Sequence, residues 1–342
     1  MSTESLDPVV ALREVAFWLE RSRNPTRRVQ AYRKAADIIG ALPDAQRQRI
    51  AATDDWQSLK GVGPKTAAVA RQAAGGAVPD YLLELREAAA PIGSVDGLRA
   101  ALRGDLHTHS NWSDGGSPIE EMMLTARRLG HEYCALTDHS PRLTVANGLD
   151  ADRLRRQLDV IDELREQVAP LRILTGIEVD ILADGSLDQT DELLDRLDIV
   201  VASVHSSLRD DRDTMTRRML AAVRHPTVSV LGHCTGRLVE GDRGTRPPSV
   251  FDADAAFAAC AEAGTAVEIN SRPERRDPPG PLLEQALAAG CMFSIDTDAH
   301  APGQLDWQGY GCERAERHGV TADRVINTLP ADDLLAWCAG DR

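Results

Sequence analysis

Histidine and acidic side chains recur in short clusters between residues 107 and 300, next to apolar runs. His107 and His109 are two residues apart, as are Asp298 and His300, and residues at this spacing on a strand point to the same face. The other members of the set are Asp114, His139, Glu178, His205 and His233. Carboxylates gathered at one place repel one another and are costly to bury. The six histidines and three carboxylates therefore predict a site for divalent metal ions.

Seven short apolar runs position these clusters. The runs are 104–108, 133–137, 172–179, 198–204, 228–232, 265–269 and 292–296, and helical patterns occupy 117–129, 150–168, 188–196, 212–224, 252–263 and 281–289. Alternating strands and helices are typical of parallel strands joined by right-handed crossovers. We therefore expect an α/β fold, a distorted seven-stranded (β/α) barrel, with the clusters together at the C-terminal ends of its strands.

Clustered divalent ions suit the hydrolysis of phosphoesters, because they lower the pKa of bound water and neutralise phosphoryl charge. Histidine and carboxylate ligands without cysteine fit zinc, manganese or iron. The residues assigned to catalysis are His107, His109, Glu178, His205 and Asp298. Arg237 and Arg275 are candidate clamps for the non-reacting phosphate oxygens. Asn270, at the end of the sixth run, is a candidate substrate contact.

The composition is that of an ordinary globular protein, with 42% hydrophobic and 27% charged residues. No apolar run approaches the roughly 18 residues of a transmembrane helix, and the N-terminal stretch lacks a signal-peptide pattern. None of the six cysteines lies in a C-x-x-C pair, so neither a zinc ribbon nor a disulfide framework is expected. These features predict a cytoplasmic protein with buried free thiols.

Charge and residue usage divide the chain into two modules. Residues 1–92 hold 13 basic and 11 acidic residues, whereas the rest of the chain holds 26 and 42. All three lysines lie before residue 106, and all nine histidines lie after it. We expect a small all-helical domain over 1–92, a linker at 93–103 and the barrel over 104–342. The acidic balance of the barrel argues against a broad surface that coats nucleic acid.

Segment 59–73, LKGVGPKTAAVARQA, predicts a phosphate-binding turn. Gly61 and Gly63 let the backbone approach a ligand closely, and Lys65 lies at the start of a helix whose N–H groups would face a phosphate. Residues 21–34 contain six basic residues and no acid, among them Arg28 beside Tyr32, a composition that suits phosphate binding and base stacking. The alternatives are an ordinary helix–turn–helix connection and a solvated charged face.

Two stretches of this module, NPTRRVQAYRKAA at 24–36 and LKGVGPKTA at 59–67, resemble the small N-terminal helix-hairpin-helix domain of family X DNA polymerases. The resemblance covers residues 8–92 and implies that Arg28, Tyr32 and Lys65 contact a DNA phosphate. In some relatives a lysine of this domain forms a Schiff base with an abasic sugar. The matching position here is Val69, which has no amine, so lyase activity is not expected.

The motifs DLHTHS, TDHS, GIE, VHS, GH and DTDAH together resemble the PHP (polymerase and histidinol phosphatase) family of metal-dependent phosphoesterases over about 104–340. GHCTGR at 232–237 and EIN at 268–270 are similar to the PHP domain attached to bacterial family X polymerases. The resemblance implies three ions, with ligand sets His107, His109, Glu178 and Asp298; Glu178, His205 and His233; and Asp114, His139 and His300. Asp138 would support these ligands.

Both resemblances imply an enzyme that processes DNA ends. The first module would hold DNA at a nick, gap or end, and the barrel would act as a 3′–5′ exonuclease, a 3′-phosphatase or a trimmer of abasic 3′ ends. Only about ten residues join the modules, so no polymerase domain fits between them. A small-molecule phosphatase similar to histidinol phosphatase is the alternative. A DNA-binding protein with an inactive site is the third possibility, which the complete ligand set disfavours.

Overall fold

The computed structural model describes residues 7–241 and 244–340, and the chain divides into two compact units after Pro91. The first unit is all helical. Its helices are α1 (Pro8–Arg21), α2 (Thr26–Gly40), α3 (Asp44–Thr53), α4 (Pro64–Ala74) and α5 (Asp80–Ala88), with a 3₁₀ turn at Trp56–Ser58. Helix α1 begins at Pro8 because Asp7 accepts a hydrogen bond from the Val9 N–H at 2.8 Å. Its apolar face, with Leu12 and Val15 fully buried, packs on the other helices.

Helices α3 and α4 enclose the turn that the sequence predicts to bind phosphate. Gly61 has a φ of +106°, and a Cβ there would lie 2.6 Å from Cδ1 of Ile38, so both conformation and space require glycine. Helix α4 begins at Pro64, and the Thr66 hydroxyl accepts a hydrogen bond from the Gly63 N–H at 3.0 Å. The turn thus reaches the N-terminus of α4 in a fixed conformation.

The second unit contains seven parallel strands, which confirms the predicted barrel. They are β1 (Gly104–Asp105), β2 (Tyr133–Leu136), β3 (Arg172–Asp180), β4 (Ile199–Ser203), β5 (Val230–Leu231), β6 (Ala266–Asn270) and β7 (Phe293–Asp296). Each strand pairs with the next along the chain, in the order β1 to β7. Just beyond the ends of β1 and β7, a parallel bridge between Thr108 and Ala299 joins the first and last segments of the sheet, which is therefore nearly closed.

Helices follow most strands at the predicted places. In chain order the helices of this unit are α6 (Leu98–Ala101), which precedes β1, and then α7 (Ile119–Arg128), α8 (Ala151–Val168), α9 (Asp191–Leu194), α10 (Arg212–Val223), α11 (Ala253–Ala263), α12 (Gly280–Ala288), α13 (Gln308–Arg317) and α14 (Ala331–Cys338). Asp150, Asp211 and Asp252 start α8, α10 and α11 by accepting hydrogen bonds from backbone N–H groups of the first turn. Helix α9 is only one turn long, shorter than the pattern at 188–196 predicts.

Alternate residues of a strand change from apolar to polar toward its C-terminal end. On β4, the face that carries Ile199 and Val201 continues with Ser203 and then His205. Ile199 and Val201 belong to an apolar cluster that also includes Ile326 and Trp337 from the C-terminal segment. The apolar part of this face is therefore covered by α14 and its approach, and the polar part lies at the opposite ends of the strands.

Residues 92–103, most of which the sequence analysis assigns to a linker, pack with the second unit. Leu98 is buried in the core of that unit, and its N–H donates to Glu316 at 2.8 Å. Arg99 donates to Gln308 at 2.6 Å. None of the six cysteines forms a disulfide with another cysteine in the described part of the chain, and five of them are buried. Over the described residues, no helix combines the length and apolar character needed to cross a membrane.

Candidate metal centre and phosphate pocket

The structure brings all nine predicted metal ligands together at the C-terminal ends of the strands. Glu178 lies on β3, and Asp114 lies in the loop between β1 and α7. The others follow their strands directly: His107 and His109 after β1, His139 after β2, His205 after β4, His233 after β5, and Asp298 and His300 after β7. Of the nine, only Asp114 is substantially exposed, and its carboxylate lies at the edge of the group.

Glu178 occupies the centre of this group. Its Oε1 lies 2.8 Å from Nε2 of His233 and 3.2 Å from Nε2 of His205. Its Oε2 lies 2.8 Å from Nδ1 of His139 and 3.3 Å from Nε2 of His107. The carboxylate is fully buried, yet within the described part of the chain neither oxygen accepts a hydrogen bond. Both oxygens therefore face imidazole nitrogens that do not donate to them.

Two further carboxylates, those of Asp114 and Asp298, complete the group. Oδ1 of Asp114 lies 3.3 Å from Nε2 of His300 and 3.5 Å from Nε2 of His139. Oδ1 of Asp298 lies 3.4 Å from Nε2 of His109. Three sets have ligand atoms that all lie within 4.8 Å of one another: His109, Asp114, His139 and His300; His107, His109 and Asp298; and His139, Glu178 and His205.

These residues fit bound metal ions. Buried polar atoms are normally hydrogen-bonded, and an unpaired one is costly. Here the unpaired buried atoms include both oxygens of Glu178, both ring nitrogens of His109 and of His233, and Nε2 of His107 and of His205. Imidazole nitrogens and carboxylate oxygens bind zinc at about 2.0–2.2 Å, so an ion between them would satisfy several of these atoms at once. The absence of cysteine from the set also permits manganese or iron.

Hydrogen bonds on the far side of two rings orient them toward the centre. Nδ1 of His107 lies 2.6 Å from a carboxylate oxygen of Glu268, and Nδ1 of His205 is bonded to Asp180. When each Nδ1–H donates to its carboxylate, the Nε2 lone pair faces the centre, as a metal ligand requires. Nδ1 of His300 lies 2.8 Å from both the backbone oxygen of Asp298 and the Arg272 guanidinium.

Glu268 and Asp180 are functional residues that the sequence analysis did not assign. Both are almost fully buried, and Glu268 also accepts a hydrogen bond from the backbone N–H of His233. Each lies two residues from an assigned position on the same strand face, Glu268 from Asn270 and Asp180 from Glu178. The two-residue spacing that places His107 and His109 on one strand face also applies to these residues and could have predicted them.

Asp138 binds the neighbouring loop, as a supporting residue would. It accepts hydrogen bonds from the Ser110 N–H at 2.8 Å, the Ser110 hydroxyl at 2.6 Å and the Gln157 amide at 2.6 Å. Burial raises its pKa in spite of these bonds. Asp138 therefore holds the loop after β1, from which Asp114 comes.

The central carboxylates are ionised. Burial alone would raise the pKa of Glu178, but the fields of His205, His107 and His139 hold it well below its usual range. Burial likewise opposes ionisation of Asp298, but the charge of Arg275 holds its pKa well below normal. The site therefore presents negative charge to a cation.

The three predicted substrate contacts take different positions. Arg275 is buried and donates from Nε to Oδ2 of Asp298 at 2.9 Å. Asn270 is fully buried and donates to Glu268 at 3.2 Å and to Asp298 at 3.3 Å, so it positions these acids. Arg237 donates from Nε to the backbone oxygen of Arg275 at 3.0 Å. Of the three, Arg275 is therefore the one whose positively charged side chain bonds a predicted metal ligand, Asp298.

In the first unit, the five predicted DNA contacts line one surface pocket of about 420 Å³. They are Arg28, Tyr32, Gly61, Gly63 and Lys65, joined by Ala31, Pro64 and Thr66. The pocket lies at the N-terminus of α4, where free N–H groups and the helix dipole favour an anion. Arg28 and Lys65 add two positive charges.

Tyr81, which the sequence analysis did not assign, supports this pocket. Its ring stacks on Tyr32 with centroids 5.9 Å apart, and its hydroxyl is bonded to the Arg28 guanidinium. Tyr32 is only 3% exposed, and burial with the neighbouring Tyr81 raises its pKa to about 12. Val69, where a lyase lysine would lie, is buried in the core of the unit and does not line the pocket.

Comparison with known proteins agrees with both halves of this description. Residues 105–272 match the PHP domain, and residues 6–74 match a helix-hairpin-helix domain. The chain is 38% identical over 236 residues to the DNA polymerase/3′-5′ exonuclease PolX of Bacillus subtilis, a match that covers 69% of this chain and 41% of the relative.

Two further matches differ in strength. A "probable phosphatase" of Thermoanaerobacter sp. (strain X514) is 28% identical over 66% of this chain and 89% of its own length. A histidinol phosphate phosphatase from Lactococcus lactis, solved with zinc, L-histidinol and phosphate, aligns over 64% of this chain at 18% identity and a TM-score of 0.45, too weak a likeness for comparing sites. The chain therefore combines a PHP domain, matched over residues 105–272, with a helix-hairpin-helix domain, matched over residues 6–74.

Proposed function

We propose that this protein hydrolyses phosphoesters at the 3′ ends of DNA and that its first unit holds the DNA. The observation that carries the hydrolytic part is Glu178, a buried carboxylate whose two oxygens face imidazole nitrogens without hydrogen bonds. Two to three divalent ions, of zinc, manganese or iron, satisfy that arrangement. When bound, such ions supply an activated water and neutralise the charge of the phosphoryl group.

The chain's own residues hold and orient this centre. His107, His109, Glu178 and Asp298 form one ligand set. Glu178 with His205 and His233 forms the second, and Asp114, His139 and His300 form the third. Asp180 and Glu268 orient the rings of His205 and His107 with Nε2 toward the centre.

Arg275 is placed to hold the substrate. Its Nε is bonded to Asp298, and no hydrogen bond occupies its two Nη atoms among the described residues. A guanidinium fixed at one nitrogen can present the other two to phosphate oxygens. In this role Arg275 orients the phosphoryl group against the metal centre.

DNA is the proposed partner because of the pocket in the first unit. A helix N-terminus flanked by Arg28 and Lys65 suits a phosphate of the DNA backbone, which carries no sequence information. The Bacillus subtilis relative named as a 3′-5′ exonuclease supports the same assignment, although this chain spans only 41% of that protein. Gapped, nicked and 3′-ended DNA are the substrates to test.

A small-molecule phosphatase is the second candidate. The observation in its favour is that the Thermoanaerobacter "probable phosphatase" matches over 89% of its own length, within two thirds of this chain. On that alternative the pocket of the first unit has no role. A DNA-binding protein with an inactive site remains the third candidate, and the presence of all nine ligand residues disfavours it.

The deciding experiment compares three substrates on manganese-loaded protein: DNA with a 3′-hydroxyl, DNA with a 3′-phosphate, and histidinol phosphate. Removal of nucleotides or of phosphate from the DNA supports the proposal, and the product distinguishes exonuclease from 3′-phosphatase. Glu178→Gln is the matched inactive control, because it keeps the size of the side chain and removes its charge. Turnover of histidinol phosphate alone would favour the second candidate.

A further inference from the structure

Three arginines from three different elements gather beside the metal centre. Arg237 comes from the loop after β5, Arg276 from the loop after β6, and Arg314 from α13. Arg237 donates to the backbone oxygens of Arg275 and Arg276. The three guanidinium groups are close enough for Arg237 and Arg276 each to lower the pKa of Arg314, which burial brings down to about 10.

Two of these arginines form no direct ion pair with a carboxylate within the described ranges. Arg314 donates to the backbone oxygens of Asn270, at 3.1 Å, and of Pro278, and Arg237 likewise bonds only backbone oxygens. Carbonyl dipoles satisfy N–H groups, but they do not cancel a net charge. Arg237 and Arg314 are partly buried, where an uncompensated charge is costly.

The described acids beside the cluster are fewer than its arginines. Asp277 is fully buried and accepts hydrogen bonds from the hydroxyl of Thr235, at 2.6 Å, and from its N–H. Its negative charge also favours the charged forms of Arg237 and Arg314, so it offsets part of their positive charge. Glu240 pairs with Arg276 at 3.2 Å, and both side chains are more than one third exposed, so water screens that pair. The cluster therefore keeps a net positive charge within a unit that is acidic overall.

One residue connects the arginine cluster to a metal ligand through hydrogen bonds. Arg275, whose backbone oxygen accepts from Arg237, donates its own Nε to Oδ2 of Asp298 at 2.9 Å. Asn270, whose backbone oxygen accepts from Arg314, donates to the same Oδ2 at 3.3 Å. An anion held by the arginines would thus lie next to a phosphoryl group held at the metal centre.

We propose that Arg237, Arg276 and Arg314 form a second anion site, which binds the phosphodiester adjacent to the one that is hydrolysed. The substrate class is then a nucleic-acid strand with at least two phosphodiesters rather than a phosphate monoester. This inference rests on the proposed function and deepens it. Guanidinium groups suit a phosphodiester because their N–H pairs match its oxygens, and a local cationic cluster offsets the repulsion between an acidic barrel and a polyanion.

The test compares the dinucleotide d(TpT), which has one phosphodiester, with the trinucleotide d(TpTpT), which has two. For the metal-loaded wild type, KM for the trinucleotide should be about tenfold lower than KM for the dinucleotide. Arg276→Ala should reduce this ratio to near one. Arg276 is the first choice because its side chain is half exposed and can be removed without opening the core. Arg237→Gln is the second variant and should have the same effect.

Arg224→Ala is the matched control, because it removes one positive charge from the exposed C-terminal end of α10 and should leave the ratio unchanged. Fluorescence anisotropy measures the binding of both labelled oligonucleotides to chelator-treated protein and needs no hydrolysis. A wild type that cleaves neither would refute the proposed function, whereas an Arg276-dependent preference in binding would still support the second site. Equal binding and equal KM for the two oligonucleotides, or a preference that survives both variants, would overturn the inference.

Discussion

Oε1 of Glu178 and Nε2 of His233 lie 2.8 Å apart, yet neither atom makes a hydrogen bond to any described residue. Burying two polar atoms at this distance without a hydrogen bond is costly, and a group bound to both would offset that cost. An ion that contacts each atom at about 2 Å would do so. Glu178 faces four further imidazoles on its two oxygens, so it is the ligand that most of the centre shares.

Glu178→Gln should therefore cost more metal than removal of any peripheral ligand. We expect the loss of at least one ion per chain and a fall in phosphoesterase activity of about 100-fold or more, because loss of a mere supporting partner already costs about 10–100-fold. His300→Ala, at the edge of the centre, should lose less. Elemental analysis of the purified proteins measures both, with His318→Ala as the control. Full activity in a chelator, with less than one ion per chain, would refute the ligand assignment.

Asp180→Asn tests the residues behind the ligands. The neutral amide no longer stabilises the Nδ1–H of His205, so metal affinity should fall by about 10–100-fold. Asp184→Asn makes the same change at an exposed position in the turn after β3 and should have no effect. Competition with a chelating dye measures the affinities. Equal affinities in the two variants would show that Asp180 has no influence on the centre.

The pocket of the first unit should bind DNA independently of hydrolysis. Lys65→Ala, and Arg28→Ala combined with Tyr32→Ala, should weaken DNA binding while a small chromogenic phosphoester is hydrolysed as before. Lys60→Ala is the control, since Lys60 is exposed but does not line the pocket. The wild-type affinity should fall as salt rises, with a smaller slope in the variants. Equal loss of DNA binding and phosphoester hydrolysis would instead assign the first unit a structural role.

The second unit should fold alone when it begins at residue 92. A fragment 92–342 keeps Leu98 in the core, whereas 104–342 loses it and should be less stable by about 2–3 kcal/mol. We expect 92–342 to hydrolyse small phosphoesters with near-native kcat and to lose efficiency on long DNA mainly through KM. Urea unfolding and steady-state kinetics measure the two effects. A fragment that handles DNA as well as the full chain would show that the barrel needs no help from the first unit.

Much of this architecture follows from local patterns. The spacing of two in His107 and His109 places both rings on one face, and the same spacing, read from Glu178 to Asp180, would also have found a supporting residue. Contacts between distant segments carry no such signal. His107 meets Glu268 across 161 positions of sequence, and only the closed sheet brings them together. For the same reason the sequence did not predict the arginine cluster, whose members come from three elements. It also did not predict the packing of residues 92–103, because a short helix with one buried leucine has the pattern of a linker.

The metal centre lies where the first and last strands of the barrel meet, so its ligands come from both ends of the sheet. Thr108 and Ala299 form the only bridge between these strands in the described residues, so this is the weakest join in the sheet. His107 and His109 lie on one side of the join and Asp298 on the other, and their ligand atoms form one of the candidate metal sets. If an ion is bound there, these residues would hold the two ends of the barrel sequence together, where closure costs the most chain entropy. Removal of the metal should therefore increase local opening between the first and last strands before it affects the rest of the sheet. The His109 amide, which donates to the backbone oxygen of Ala299 at 2.8 Å, should then exchange its hydrogen faster.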